Sequence, residues 1–170
     1  FRSAPQDSFF VVFREPTKVA EFLAPARQTM PVATLDRPWE VSFQPGRGAP
    51  AGAAFATLQG LERHTDAGIR YFSGIATYRT TFQAPAGRRR GSTLLLDLGS
   101  VGDVAEVRVN DVLLGTVWQA PYRLDVSRAL RRGENRLEVR VANTWVNRLI
   151  GDAQPGDRKS TRLNSSHSQQ

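Results

Sequence analysis

Apolar and polar residues alternate with period two along much of the chain, which is the pattern of half-buried β-strands. The alternation is clearest over residues 104–109, where Ala105, Val107 and Val109 share one face. It also predicts strands at 76–82 and 137–141, with shorter strands at 9–14, 39–44 and 112–117. Residues 94–98 are apolar at nearly consecutive positions, which predicts a central strand covered on both faces.

Turn signals separate these strands. Asn110-Asp111 suits a two-residue hairpin turn, since both residue types tolerate positive φ. Asp125 or Ser127 is predicted to cap a single helical turn that ends by Gly133, and the Gly- and Pro-rich stretch 45–60 is predicted to be a loop. About eight short strands with regular turn signals predict an all-β fold: an antiparallel β-sandwich or jelly roll with one short helical turn.

The domain organisation is predicted from where this alternation stops. Residues 1–14 are interpreted as the closing strand of a preceding domain, 15–30 as a Pro-containing connector and 31–156 as the sandwich. Residues 157–167 match one reading frame of a common sequencing-library adapter. We therefore expect 157–170 to be a disordered artefact and exclude it from fold reasoning.

Composition removes several classes of protein. The chain has 170 residues, no Cys and a formal charge of +7, and it lacks the eighteen-residue apolar run of a membrane helix. Without Cys, a disulfide scaffold or a thiolate metal site is impossible. The basic excess is almost all arginine, and its one cluster, 88–90, is interpreted as a solvated loop tip. Neither a nucleic acid nor a membrane is therefore predicted as a partner.

Residue sets for catalysis are also missing from the sequence. There is no Gly-x-Ser-x-Gly elbow, phosphate loop or dinucleotide fingerprint. His64 is the one histidine before residue 157 and is interpreted as an exposed loop residue, since a lone His cannot make a metal site. Asp97, Asp103 and Asp152 are the acids considered for sugar chemistry, and all three are interpreted as structural. No catalytic residue, metal site or cofactor is predicted, and calcium is not inferable from the sequence.

Four short motifs stand out along the chain. They are Tyr-Phe-Ser-Gly-Ile-Ala-Thr-Tyr-Arg at 71–79, Val-Ala-Glu-Val-Arg-Val-Asn at 104–110, Leu-Gly-Thr-Val-Trp at 114–118 and Gly-Glu-Asn-Arg-Leu-Glu-Val at 133–139. Together they resemble the galactose-binding-like jelly rolls of glycoside hydrolase families 2 and 35. The ending, Asn-Thr-Trp-Val-Asn-Arg-Leu-Ile-Gly-Asp at 143–152, resembles the C-terminal end of the α-L-rhamnosidases of glycoside hydrolase family 106.

This resemblance implies a non-catalytic, carbohydrate-binding-like accessory module. It would be a C-terminal fragment of a glycosidase that hydrolyses O-glycosidic bonds, with the catalytic carboxylates on an upstream domain of the same chain. The resemblance also implies a plant- or polysaccharide-derived oligosaccharide as substrate and a secreted or periplasmic location. The alternative is an autonomous carbohydrate-binding module, and a nucleic-acid-binding domain is disfavoured by the scattered arginines.

Five residues are candidates for sugar contact. Aromatic rings can stack on the apolar face of a sugar, which selects Trp118, Tyr122 and Trp145, while Asn147 and Arg148 could hydrogen-bond its hydroxyls. A structural interpretation stands beside this one, because large aromatics usually fill a sandwich core. In that interpretation, Arg148 and Asp152 form a buried pair that locks the last strand.

Overall fold

A computed structural model describes residues 29–86 and 91–154, together with positions 10, 12, 14–16 and 18. The chain divides into two units, Phe1–Thr34 and Leu35–Gln170. In the first unit, residues 29–34 have neither helix nor strand. The predicted strand at 9–14, the connector at 15–30 and the segment at 157–170 fall wholly or mostly outside the described residues, and they stay predictions.

The regular structure of the second unit is mainly antiparallel sheet. Its strands are β1 (Trp39–Phe43), β2 (Gly52–Phe55), β3 (Ile75–Gln83), β4 (Leu95–Asp97), β5 (Val104–Val109), β6 (Val112–Val117), β7 (Arg123–Asp125) and β8 (Glu134–Ala142). Six of them form one sheet in the order β2-β1-β3-β8-β5-β6, and β4 pairs with β7 in a second sheet. The predicted all-β antiparallel sandwich is therefore confirmed.

The core lies on one face of the six-stranded sheet, as the period-two pattern requires. In β5 the side chains of Ala105, Val107 and Val109 are fully buried. Leu96 of β4 and Leu124 of β7 pack against this core from the second sheet. Tyr78 of β3 lies beside the same core, and burial raises the pKa of its phenol to about 12, because the charged phenolate would lose its hydration there.

Two strand predictions need correction. Residues 94–98 do not form a central strand, because β4 pairs with β7 in the small sheet and Leu95 is exposed. Every second leucine still faces the core. Because the leucines follow one another in the sequence, however, the period-two alternation of the strand cannot be recognised from the pattern. The stretch 45–60 is not all loop either, since it contains β2, which pairs with β1. Its Gly-Ala-Ala sequence carries little strand preference.

Helical structure differs from the prediction as well. The described residues contain two short α-helices, α1 (Ala67–Arg70) and α2 (Val146–Asp152), and a 3-10 turn at Leu61–Arg63. The helical turn predicted after β7 is a hydrogen-bonded turn, in which the Ala129 and Leu130 amides both donate to the Val126 carbonyl. Asp125 Oδ1 accepts a hydrogen bond from the Ser127 amide at 2.8 Å, so Asp125 is the capping residue of that turn.

The hairpin turn between β5 and β6 is confirmed and has a second role. Asn110 and Asp111 have φ angles of 50° and 69°, as a two-residue hairpin with matching twist requires. The side chain of Asn110 is buried and does not point to solvent. Its Nδ2 donates to the Ala129 carbonyl at 2.9 Å, and its Oδ1 accepts the Arg136 amide at 3.0 Å. The hairpin is thereby attached to the turn after β7 and to β8.

Asn135 completes this buried polar network. It is fully buried, and its Oδ1 accepts Nδ2 of Asn110 at 2.7 Å and the Arg131 amide at 2.8 Å. Its own Nδ2 donates to the carbonyls of Arg131 and Gly133 at 3.0 and 2.9 Å. Both amide groups of the pair are thus satisfied inside the protein, which offsets the cost of burying them.

We expect Asn135→Ala to lower the free energy of unfolding by about 3 kcal/mol, because it leaves several buried polar partners without hydrogen bonds. Urea unfolding followed by circular dichroism measures this loss. Asn147→Ala, at a half-buried position on α2, is the matched control and should change the free energy by no more than about 0.5 kcal/mol. Equal effects of the two substitutions would contradict the role of the buried network.

Asp97 joins the two strands of the small sheet. It lies opposite Arg123, whose Nε donates to Asp97 Oδ2 at 2.7 Å, and its Oδ1 accepts the Gly99 amide at 2.8 Å. The Gly99 hydrogen bond and the Arg123 hydrogen bond hold the pKa of Asp97 below its usual range. The acid is therefore structural, as the sequence predicted.

This pKa has a consequence for stability in acid. A carboxyl whose pKa is lowered by folding stabilises the fold above its unfolded pKa, and this contribution disappears as the pH falls through the lower folded value. Asp97→Asn should therefore be less stable than the unmodified chain near neutral pH, with the difference shrinking below about pH 4. Thermal melts over this pH range test the prediction. Arg123→Gln should act in the same direction but more weakly, since the Gly99 hydrogen bond remains.

Candidate functional site

The sequence-predicted sugar-contact residues all follow strands that end at one end of the larger sheet. Ala105, near the start of β5, lies opposite Val117 of β6 on one side and Val141 of β8 on the other. The last residues of β6 and β8 are therefore separated by one strand, a distance of about 10 Å. Trp118 and Tyr122 follow β6, and the segment with the remaining candidates follows β8.

Asn143 fixes the segment between β8 and α2. Its Oδ1 accepts the Gly74 amide, and its Nδ2 donates to the Phe72 carbonyl, both at 2.8 Å. One residue later, the Thr144 amide donates to Asp103 Oδ2 at 2.7 Å, so Asp103 is structural as predicted. Asn143 was not among the predicted functional residues. Its only sequence signal is its place at the start of the 143–152 motif, since its partners lie about 70 residues away.

Helix α2 sits on the domain through small and polar groups. The Arg148 amide donates to the buried Ser73 hydroxyl at 3.0 Å. Gly151 packs directly on Tyr71, where a Cβ atom would lie 2.7 Å from the aromatic side chain. This spacing requires glycine, because any larger residue would push the helix off the domain.

Arg148 and Asp152 do form a pair, but not the predicted one. The Arg148 Nε lies 2.9 Å from Asp152 Oδ1 within one turn of α2, and both side chains are about 30% exposed. Oδ1 accepts no hydrogen bond from the described residues, so the contact is electrostatic. The prediction of a buried pair that locks the last strand is wrong, because the segment after β8 is a helix and the pair is internal to it.

The three tryptophans have different environments. Trp39 is buried in the core, as the structural interpretation requires. That interpretation is wrong for Trp118 and Trp145, which are 69% and 57% exposed. Trp118 comes directly after β6 ends, and Trp145 precedes α2 on its outer side. The Arg47 guanidinium lies 4.7 Å from the centre of the Trp145 ring, a cation–π contact that the sequence did not predict.

The remaining candidates are half-buried. The Tyr122 carbonyl accepts the Leu98 amide at 2.9 Å, which ties its loop to the end of β4. Asn147 lies on α2 beside Arg148. The structure thus places Trp145, Asn147 and Arg148 on one short segment, whereas Trp118 and Tyr122 belong to the neighbouring loop.

A cavity of about 430 Å³ lies between α2, α1 and the loop before β2. Its lining includes Gly48, Gly68, Tyr71, Arg148 and Gly151. The glycines allow a close approach of the three segments, since a Cβ on Gly68 would lie 2.4 Å from the Gly48 carbonyl. Arg148 is the charged group of this cavity, but its electrostatic partner Asp152 already lies beside it.

His64 is not the exposed loop residue that was predicted. It is half-buried, its ring stacks on Phe55 at 5.2 Å between centroids, and its Nδ1 accepts the Asp66 amide at 3.0 Å. Phe55 lies in the unpredicted strand β2, which explains why the stacking could not be foreseen. Over the described ranges, no three His, Cys, Asp or Glu side chains come together as a metal site.

The outer face of the larger sheet carries charges of both signs. Arg79 pairs with Glu138 at 2.8 Å, and Arg140 lies 3.4 Å from Glu106. These pairs are exposed enough to contribute little stability, but they place negative charges among the arginines of this face. Such a mixed surface lacks the single-sign field of a nucleic-acid site. The arginine cluster at 88–90 lies outside the described part of the chain. Among the described residues, no helix is long and apolar enough to cross a membrane.

Comparison with solved structures places this fold among glycosidase domains. The chain is 55% identical to a rhamnosidase from Novosphingobium sp. PP1Y, with a TM-score of 0.75 over 81% of this chain. A β-glucuronidase from Ruminococcus gnavus is 24% identical over 64% of the chain with a TM-score of 0.53, which supports the fold alone. The chain covers only 13% and 21% of these two proteins.

Sequence comparison agrees. A Formosa agariphila protein named "Putative beta-glucuronidase" is 44% identical over 115 residues, which are 67% of this chain and 10% of that protein. The family described as glycosyl hydrolase 2 galactose-binding domain-like matches residues 65–169. Because this match covers more than half of the sequence, the chain belongs to the glycosyl hydrolase 2 galactose-binding domain-like family.

Proposed function

We propose that the chain is a non-catalytic accessory module of an α-L-rhamnosidase of glycoside hydrolase family 106. The observation that carries this proposal is the 55% identity to a rhamnosidase over 81% of the chain. The proposed activity of the whole protein is hydrolysis of an O-glycosidic bond in a plant- or polysaccharide-derived oligosaccharide. Its catalytic carboxylates would lie on an upstream domain of the same polypeptide.

The contacts of the three acids that were considered for sugar chemistry support a non-catalytic role. Glycoside hydrolysis needs two carboxyl groups that face each other across a cleft, about 5 to 9.5 Å apart. Asp97, Asp103 and Asp152 are instead engaged with an arginine of the facing strand, a backbone amide and an arginine of the same helix. Each of these three carboxylates is therefore engaged in a contact within the module.

The first test is to sequence the source DNA across both ends of this reading frame and to express the complete protein. We expect the complete protein to hydrolyse p-nitrophenyl α-L-rhamnoside and the 170-residue chain alone to be inactive. In the complete protein, Asp103→Asn and Asp152→Asn should leave kcat/KM within about threefold, since each removes less than about 0.7 kcal/mol of transition-state stabilisation.

Two results would contradict the proposal. Hydrolysis by the 170-residue chain would mean that the module contains a catalytic site. Hydrolysis of p-nitrophenyl β-glucuronide without hydrolysis of the rhamnoside would assign the parent enzyme to a different activity.

An autonomous carbohydrate-binding function is a second candidate, and the exposure of Trp118 favours it. If the module binds a rhamnose-containing oligosaccharide, Trp118→Ala should weaken binding by about tenfold, equivalent to about 1.4 kcal/mol. Isothermal titration calorimetry measures this change. Leu113→Ala, also at an exposed apolar position, is the control and should bind like the unmodified chain. A folded chain with no measurable binding would exclude this function.

A further inference from the structure

The amphipathic pattern of α2 is the reverse of that of an ordinary surface helix. Trp145, Val146, Leu149 and Ile150 are 57%, 55%, 64% and 49% exposed. At 3.6 residues per turn they lie within about 140° of one another around the helix axis. We call these four residues the apolar face of α2. A surface helix usually turns such a face towards the core, whereas α2 turns it outwards.

The opposite side of α2 is held firmly, so the helix cannot simply rotate. The Arg148 amide is bonded to the buried Ser73 hydroxyl, and Gly151 lies against Tyr71 with no room for a Cβ. Asn143 fixes the approach to the helix with its two side-chain hydrogen bonds. A rotation of α2 that turned Leu149 and Ile150 towards the core would break these contacts. The apolar face is therefore a stable feature of the module and is available to a partner.

The chemistry of this face suits a protein surface better than a sugar. Sugar sites combine an aromatic platform with polar groups that converge on the hydroxyls. Here three exposed aliphatic side chains accompany one tryptophan, and the Arg47 guanidinium already lies over the Trp145 ring. Contiguous exposed apolar residues on a folded domain are typical of a surface that another protein surface covers.

We propose that the apolar face of α2 is the docking surface for the catalytic part of the same polypeptide. This inference rests on the proposed function. The matched region is only 13% of the rhamnosidase chain, so most of such an enzyme lies outside the module and can contact it. Interfaces between domains bury about 600–1,500 Å² and have an apolar centre. The charged outer face of the sheet is unsuited to form that centre, whereas the α2 face supplies it.

Hydroxyl-radical footprinting of the complete protein and of the 170-residue chain tests the proposal. We expect Trp145 to be oxidised about fivefold more slowly in the complete protein, because residues at the centre of an interface lose nearly all of their exposure. Leu58, a 53% exposed loop residue, is the internal reference and should be oxidised equally in both.

Substitution adds a second readout. Replacing Leu149 and Ile150 together by Glu in the complete protein should restore the oxidation rate of Trp145 to that of the 170-residue chain. Leu58→Glu is the matched control and should not. In the 170-residue chain the double substitution should leave the circular dichroism spectrum and Tm unchanged, since both side chains are exposed. That result separates undocking from unfolding.

Three outcomes would overturn the proposal. Equal oxidation of Trp145 in both proteins would mean that nothing covers α2. Protection of the 170-residue chain that grows with its concentration would assign the face to a second copy, and protection by added rhamnose would assign it to sugar. If Trp145 is protected in a complete protein that hydrolyses no glycoside, docking stands and the proposed glycosidase activity fails.

Discussion

The buried side-chain amides of Asn110 and Asn135 hold together three separate segments of the second half of the module. Their direct hydrogen bond, with the backbone bonds around it, joins the β5–β6 hairpin, the turn after β7 and the start of β8. β8 in turn pairs with both β3 and β5, so the central strands of the larger sheet are aligned from this point. A buried amide is costly unless every donor and acceptor is satisfied, and a wrong register would leave these groups unpaired. The network therefore selects one arrangement of the sheet.

Sequence pattern predicts the strands well where one face is buried and the other wet. β5 and β8 are such strands, and their alternation translates directly into burial. The pattern fails where that contrast is absent. In β4 consecutive leucines hide the alternation, β2 consists largely of glycine and alanine, and the apolar residues of α2 face away from the core. In each case the missing information is what packs against the segment, which is set by residues elsewhere in the chain.

The candidate site was likewise predictable from the sequence only in part. The short motifs identify Trp118, Tyr122 and the 143–152 segment as candidates. In the structure these residues do follow strands that end at the same end of the larger sheet. Sequence could not distinguish a core tryptophan from an exposed one, since Trp39 and Trp118 both stand at a strand end. Nor could it predict Arg47 over Trp145 or Asn143 on Phe72 and Gly74, because these contacts join segments about 70 to 100 residues apart.

The hairpin at Asn110 and the helix α2 lie at opposite ends of the larger sheet, since β5 runs from Val104, opposite Ala142, to Val109, opposite Leu137. The asparagine network at one end stabilises the pairing of the strands, whereas the exposed side chains of α2 at the other end do not contribute to it. Substitutions on the outer side of α2 and in the loop after β6 therefore meet little resistance from folding. A scaffold divided in this way can change its surface at one end without rebuilding its framework at the other.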